Sequence, residues 1–258
     1  MILLDRPKIQ PSIPNLKLNS SKDADLSLAI ALGIIAIWAS STALLMTLDM
    51  DKLPPLVIVF LMLWQMFLYT GLFVTAHDAM HGVVFAKNRK INDLVGSIAV
   101  GIYALFSLKQ LAKKHKEHHD HPASEIDPDF HNGKQKNFFA WYCQFSTRYW
   151  SWTRIVGLMA IFHLLKHTVN FPEANLAWFW IVPSILSSVQ LFYFGSYLVH
   201  REPKGGYTNP HRSVTTNLST FWSFITCYHF GYHYEHHEHP YLPWWRLPEA
   251  YKLNKLDS

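Results

Sequence analysis

The chain has 258 residues, half of them hydrophobic and 15% aromatic, but only 16% are charged. A soluble domain carries about 25% charged residues, so an ordinary water-soluble fold is excluded. The net charge of +5 does not point to nucleic acid, because the basic residues are segregated around long uncharged apolar blocks.

Residues 1–25 form a polar, Pro-rich arm with Arg6, Lys8, Lys17 and Lys22 ahead of any apolar run, so no cleavable signal peptide is expected. Leu26–Leu48 and Pro55–Ala76 contain no charge, and each exceeds the roughly 20 residues that cross a bilayer as a helix. In lipid the backbone must satisfy itself, so both are predicted to be helices, joined in a hairpin by "DMDKLP". Leu94–Leu108 is uncharged for only 15 residues, between Arg89 and Lys90 on one side and Lys109, Lys113 and Lys114 on the other. Crossing there would separate His77 and His81 from His115, His118 and His119, so an interfacial or re-entrant segment is predicted. Tyr149–His167 is predicted as a third span, with Arg154 snorkelling to the interface. Leu176–Val199 is the fourth. Leu218–Phe230, with 13 uncharged residues, is a second interfacial segment.

The expected fold is therefore an all-α integral membrane protein with four transmembrane helices, interfacial or re-entrant helices and a histidine-rich cap. Residues 26–258 make one membrane-embedded domain. Lys52 and Lys166 are the only basic residues in the connectors Asp49–Pro54 and Lys166–Asn175. That asymmetry places the cap and both termini in the cytoplasm. Cys143 and Cys227 are too few for a disulfide framework or a thiolate metal site.

The 16 histidines carry more information in their spacing than in their number. "HDAMHG" places His77 and His81 at i and i+4. "HKEHH" places His115, His118 and His119 at i, i+3 and i+4, and "HYEHH" does the same with His233, His236 and His237. Each set shares one helical face. Imidazole suits iron, zinc, copper or nickel rather than magnesium or calcium. One ion takes about four ligands, so eight imidazoles imply two ions or redundancy, and spacing does not choose between iron and zinc. His121 and His239 rotate off the ligating face and precede prolines, which makes them turn residues. His163 and His167 read as interfacial polar residues.

One HxxxH box followed by two HxxHH boxes resembles the integral-membrane di-iron superfamily of desaturases, hydroxylases and ketolases. The flanks "THDAMHG", "DPDFH", "CYHFGYHYEHHEHP" and "PYLPWWRLP" resemble the bacterial and cyanobacterial β-carotene 4-ketolases, over about residues 26–248. The resemblance implies a cytoplasmic di-iron cap with two ferrous ions, O₂ as oxidant, and electrons from an external ferredoxin-type protein. It implies two successive hydroxylations at C4 of a β-ionone ring, the geminal diol losing water to give the ketone. It also implies a ninth ligand at His200 in "SYLVHREP". Ser196 stands where desaturases carry an asparagine, and His229, four residues before His233, is the rival ligand. His131 and His211 read as loop residues. Asp127 and Asp129 are the first candidates to accept the outer ring proton of a ligating histidine.

The aromatic stretches 138–152, 178–180 and 192–194 read as interfacial anchors and helix packing, with a polyene channel as the second reading. Partners are a lipophilic carotenoid, membrane lipid and the electron donor. A carotenoid hydroxylase or an acyl-lipid desaturase would carry the same metals. A metal transporter is disfavoured, because the clear spans hold no His, Asp or Glu.

Overall fold

The computed structural model describes residues 21–256 and is built from helices, with no strand among the described residues. Most of the N-terminal arm lies outside that range. Helix α1 (Ser21–Leu45) and helix α2 (Pro55–His81) form the expected hairpin through a short turn at Met50–Lys52. Pro55 starts α2, where a missing backbone N–H has no cost. The helix runs five residues past the apolar block and stops at Gly82, whose φ of 79° is the left-handed cap that glycine adopts freely. His77 and His81 thus belong to the last turns of a continuous span.

Helix α3 (Arg89–Ala104) is capped by the Asn88 side chain, which accepts the N–H groups of Lys90 and Ile91. It ends at Leu105 in the left-handed region, and α4 (Leu108–Asp120) leaves at a bend of 96°. The pair begins beside the end of α2 and returns to it, since His115 Nε2 on α4 lies 2.7 Å from His81 Nε2. This matches the segment expected not to carry the chain across.

The predicted third span starts later than expected. Helix α5 (Phe138–Arg148) is followed by α6 (Trp152–His167), which has 16 residues. At 1.5 Å per residue that is about 24 Å, and it runs from Arg154, beside Phe106 and Tyr149, to Phe162 and Leu165, which pack with Leu45 and Leu176 at the α1–α2 turn. Ser151 breaks the run by capping α6 at its Oγ. Arg154 reaches back past the start of α6: its guanidinium lies 3.5 Å from the Phe106 ring centre and donates to the Tyr149 carbonyl. Among the described residues, three longer helices are apolar enough to cross a membrane whole: α1, α2 and α7 (Glu173–Tyr197). A fourth of that length is reached only if α3 and α4 are one broken span. Two wide π-turns, Ala177–Ile181 and Tyr193–Tyr197, interrupt α7. Three short helices complete the fold: α8 (Thr220–Cys227), α9 (His233–Glu238) and α10 (Leu247–Leu256).

Helix α2 is apolar all round, and its two ends meet different surroundings. Leu56 and Phe60 near its start are exposed, as lipid-facing residues of a span would be, whereas Tyr69, Leu72, Val74, Ala76 and Ala79 are buried among α1, α3 and α7. The approach of α3 depends on Gly96: a Cβ there would sit 2.3 Å from Ala79 Cβ. Gly96→Val is therefore expected to push α3 off α2 and destabilise the protein by about 1–3 kcal/mol, read as a lowered melting temperature in detergent.

Candidate metal centre

The end of α2, the inner face of α4, the short helix α9 and the chain just after α7 meet at one place. There the imidazoles fall into two groups of four, His77, His81, His115 and His236 in one, and His118, His200, His233 and His237 in the other. Within each group the ligating atoms all lie within 4.8 Å of one another. The boxes are not allotted one to each group. On α4, His115 joins the first and His118 the second; on α9, His236 joins the first and His233 and His237 the second. His119 stands between them, its Nε2 3.1 Å from that of His115 and 3.0 Å from that of His236, with its ring stacked 4.2 Å from the His237 ring.

The nitrogen separations show what the cluster suits. His237 Nε2 faces His118 Nε2 at 3.1 Å and His233 Nε2 at 3.0 Å, while His233 Nε2 also faces that of His200 at 2.9 Å. A neutral imidazole carries one N–H, so these converging nitrogens cannot all be satisfied by each other. His77 is buried with neither ring nitrogen bonded to protein, a costly arrangement unless a cation takes the lone pair. Burial, and then the neighbouring rings, hold His233, His236 and His237 well below the ordinary imidazole range; burial brings His200 to about 3. All four are therefore neutral, the form that ligates metal. Eight converging nitrogen donors split four and four, six of them from buried rings and those of His81 and His115 from half-buried ones, fit two first-row transition ions.

The outer nitrogens are held as well. His118 Nδ1–H donates to the Asp127 carboxylate, with both oxygens at 3.0 Å, and His200 Nδ1–H donates to the Arg212 carbonyl at 2.9 Å. Asp127 is fixed in turn by the N–H groups of Ala123 and Asp129, each at 2.8 Å. Asp129 makes no such contact with the ring. Its Oδ2 is 3.9 Å from His118 Nδ1, and its Oδ1 accepts from the Tyr149 hydroxyl at 2.5 Å.

Several candidates fall outside both groups. His229 has a φ of 64° and lies parallel to Tyr232. His131 accepts the Gly133 N–H and packs on Trp141. His211 pairs with Glu238 at 2.8 Å, and His239 with the Tyr241 hydroxyl at 2.8 Å. Two carboxylates inside the boxes themselves act as further supports. Asp78 accepts the Trp244 N–H at 3.0 Å and so ties the first box to the "PWW" loop. Buried Glu235 accepts from the Thr215 hydroxyl.

A cavity of about 370 Å³ ends on this centre. His77 and His115 of one group and His118 and His233 of the other form part of its wall, and Phe73, Phe106, Phe145, Phe192, Phe230 and Leu158 make most of the rest apolar. The aromatic stretches are thus only partly anchors. Tyr142, Phe145, Ser146 and Tyr149 recur at helical spacing along one face of α5 and its end, and that face lines the cavity.

The chain matches the family model for fatty acid desaturases over residues 53–171 and 132–256. It is 39% identical over 242 residues to the zeaxanthin 4-ketolase of Chlamydomonas reinhardtii, covering 88% of this chain and 53% of that protein. Against the β-carotene 4-ketolase 3 of Haematococcus lacustris it is 41% identical over 198 residues, 73% of this chain and 60% of that one. The β-carotene ketolase of Paracoccus sp. (strain PC1) is 34% identical over 238 residues, 92% of this chain and 96% of that protein. The chain thus spans little more than half the length of the two algal relatives and nearly all of the bacterial one. With a family match across most of its length and a relative covered nearly end to end, the chain belongs to the fatty acid desaturase family, and the relatives it matches are named as carotenoid ketolases.

Proposed function

We propose that the protein oxidises the C4 methylene of β-ionone rings of carotenoids to a ketone, with two iron ions held by the two histidine groups. The observation that carries this reading is the cavity: an apolar pocket whose inner wall is built from ligands of both groups. A polyene dissolved in the bilayer would enter such a pocket ring first. The names of the relatives support the choice of substrate.

When bound, the iron pair supplies the reduction of O₂ and the removal of hydrogen from an unactivated carbon. Each round places one oxygen atom on C4 and releases the other as water, with two electrons and two protons drawn from outside the chain. Two rounds give a geminal diol, which loses water to leave the ketone. The protein's own part is positional. Asp127 and the Arg212 carbonyl fix the tautomer and direction of His118 and His200, while the phenylalanines exclude water and hold the ring at the histidine wall. The electrons come from a ferredoxin-type donor. The segregation of basic residues favours a cytoplasmic face for the centre and for both termini.

Expression in cells that make β-carotene tests this directly. Keto-carotenoids are expected in the pigment extract. Carotenoids hydroxylated only at C3, or unchanged pigments with altered acyl chains, would replace this reading with a hydroxylase or a desaturase. Purified protein with exchangeable zinc and no oxidase activity would make it a transporter.

A further inference from the structure

The cavity is apolar except for a few groups, and nearly all of those are already engaged. Ser146 and Ser184 donate to the carbonyls of Tyr142 and Ile181, the Tyr142 hydroxyl donates to Ser188, and Arg154 donates to the Tyr149 carbonyl. Asp129 differs. It lies in the cavity wall together with His118 and His77. One of its oxygens, Oδ1, is taken by the Tyr149 hydroxyl at 2.5 Å, and Asp127 occupies the outer nitrogen of His118. Oδ2, 3.9 Å from that nitrogen, is beyond hydrogen-bonding distance of it. The Lys114 ammonium, 4.5 Å from the Tyr149 ring centre, adds positive charge beside the carboxylate.

We propose that Asp129, held in place by Tyr149, is an acceptor site for the hydroxyl on the ring carbon being oxidised. This rests on the ketolase reading and deepens it. The substrate methylene has no O–H to donate, and neither does the ketone product. The alcohol formed in the first round, and the diol formed in the second, do. An acceptor at this position therefore holds the half-oxidised ring at the histidine wall and lets the finished ring leave. Asp129 makes the contact, and Tyr149 acts as a positioning residue by fixing which way the carboxylate faces.

Tyr149→Phe removes one hydroxyl and keeps the ring that packs on Phe145. The readout is the ratio of 4-hydroxy to 4-keto carotenoid in the extract, at whatever total turnover the variant retains. Loss of a hydrogen bond to a charged acceptor shifts such a partition by roughly tenfold or more, so the variant is expected to accumulate alcohol by about that factor with its iron content intact. A wild-type ratio, with or without a lower total or a lower iron content, would mean that Tyr149 serves structure alone and would overturn the proposal. Should turnover be lost altogether, binding of purified 4-hydroxy carotenoid in detergent decides. The wild type should prefer it over the unoxidised pigment by roughly tenfold, and equal preference in wild type and variant would sink the idea. If the wild type forms neither alcohol nor ketone at C4, the ketolase reading has failed instead.

Discussion

His236→Ala is expected to lower carotenoid oxidation by more than about 100-fold, since even residues that only orient a ligand are worth 10–100-fold. His236 sits where the boxes meet: its ring centre is 4.5 Å from that of His77 and 4.9 Å from those of His81 and His119. Removing it leaves His77, His81 and His115 from a four-nitrogen group, so iron in the purified protein should fall from about two per chain toward about one. His118→Ala should do the same to the other group and also strand the buried carboxylate of Asp127 without its imidazole partner. Neither residue lies in the three helices long and apolar enough to cross a membrane, so both variants should still fractionate with the membrane. Full activity in either one, with two irons retained, would remove the paired-metal assignment.

The hairpin and the last span are legible in the sequence for the same reason that they form. Residues 26–48, 55–76 and 176–199 are apolar blocks longer than a bilayer requires, and helix is the backbone's only outlet there. The faces of the boxes are legible too, because i, i+3 and i+4 need only local helix. What local spacing does not reveal is that α4 and α9 each divide their histidines between two groups, since that follows from how α2, α4 and α9 cross. Tyr149–His167 locates α6 but not its start, because composition carries no mark of the Ser151 cap at which the helix begins. The loop carrying Arg212 has no periodicity to read, although its carbonyl orients His200. The cavity face of α5 is visible only once Tyr142, Phe145 and Tyr149 are seen along one side.

Asp127→Asn separates the carboxylates at residues 127 and 129 into two roles. Asp127 is fully buried and takes three N–H donors: the ring of His118 and the backbones of Ala123 and Asp129. An asparagine has one oxygen to offer in place of two, and whichever way its amide turns, an NH₂ faces another N–H. The expected cost is about 1–3 kcal/mol of stability for the donor left unmatched. Because the outer nitrogen of His118 exchanges a carboxylate for one neutral amide oxygen with an NH₂ beside it, iron retention under a chelator should also weaken by roughly 10–100-fold. Asp129→Asn should behave differently. Its oxygen is 3.9 Å from His118, so metal retention should stay close to wild type while the product pattern moves toward the alcohol. Equal loss of iron in the two variants would mean that both carboxylates serve His118, and the division between orienting a ligand and holding the substrate would have to be abandoned.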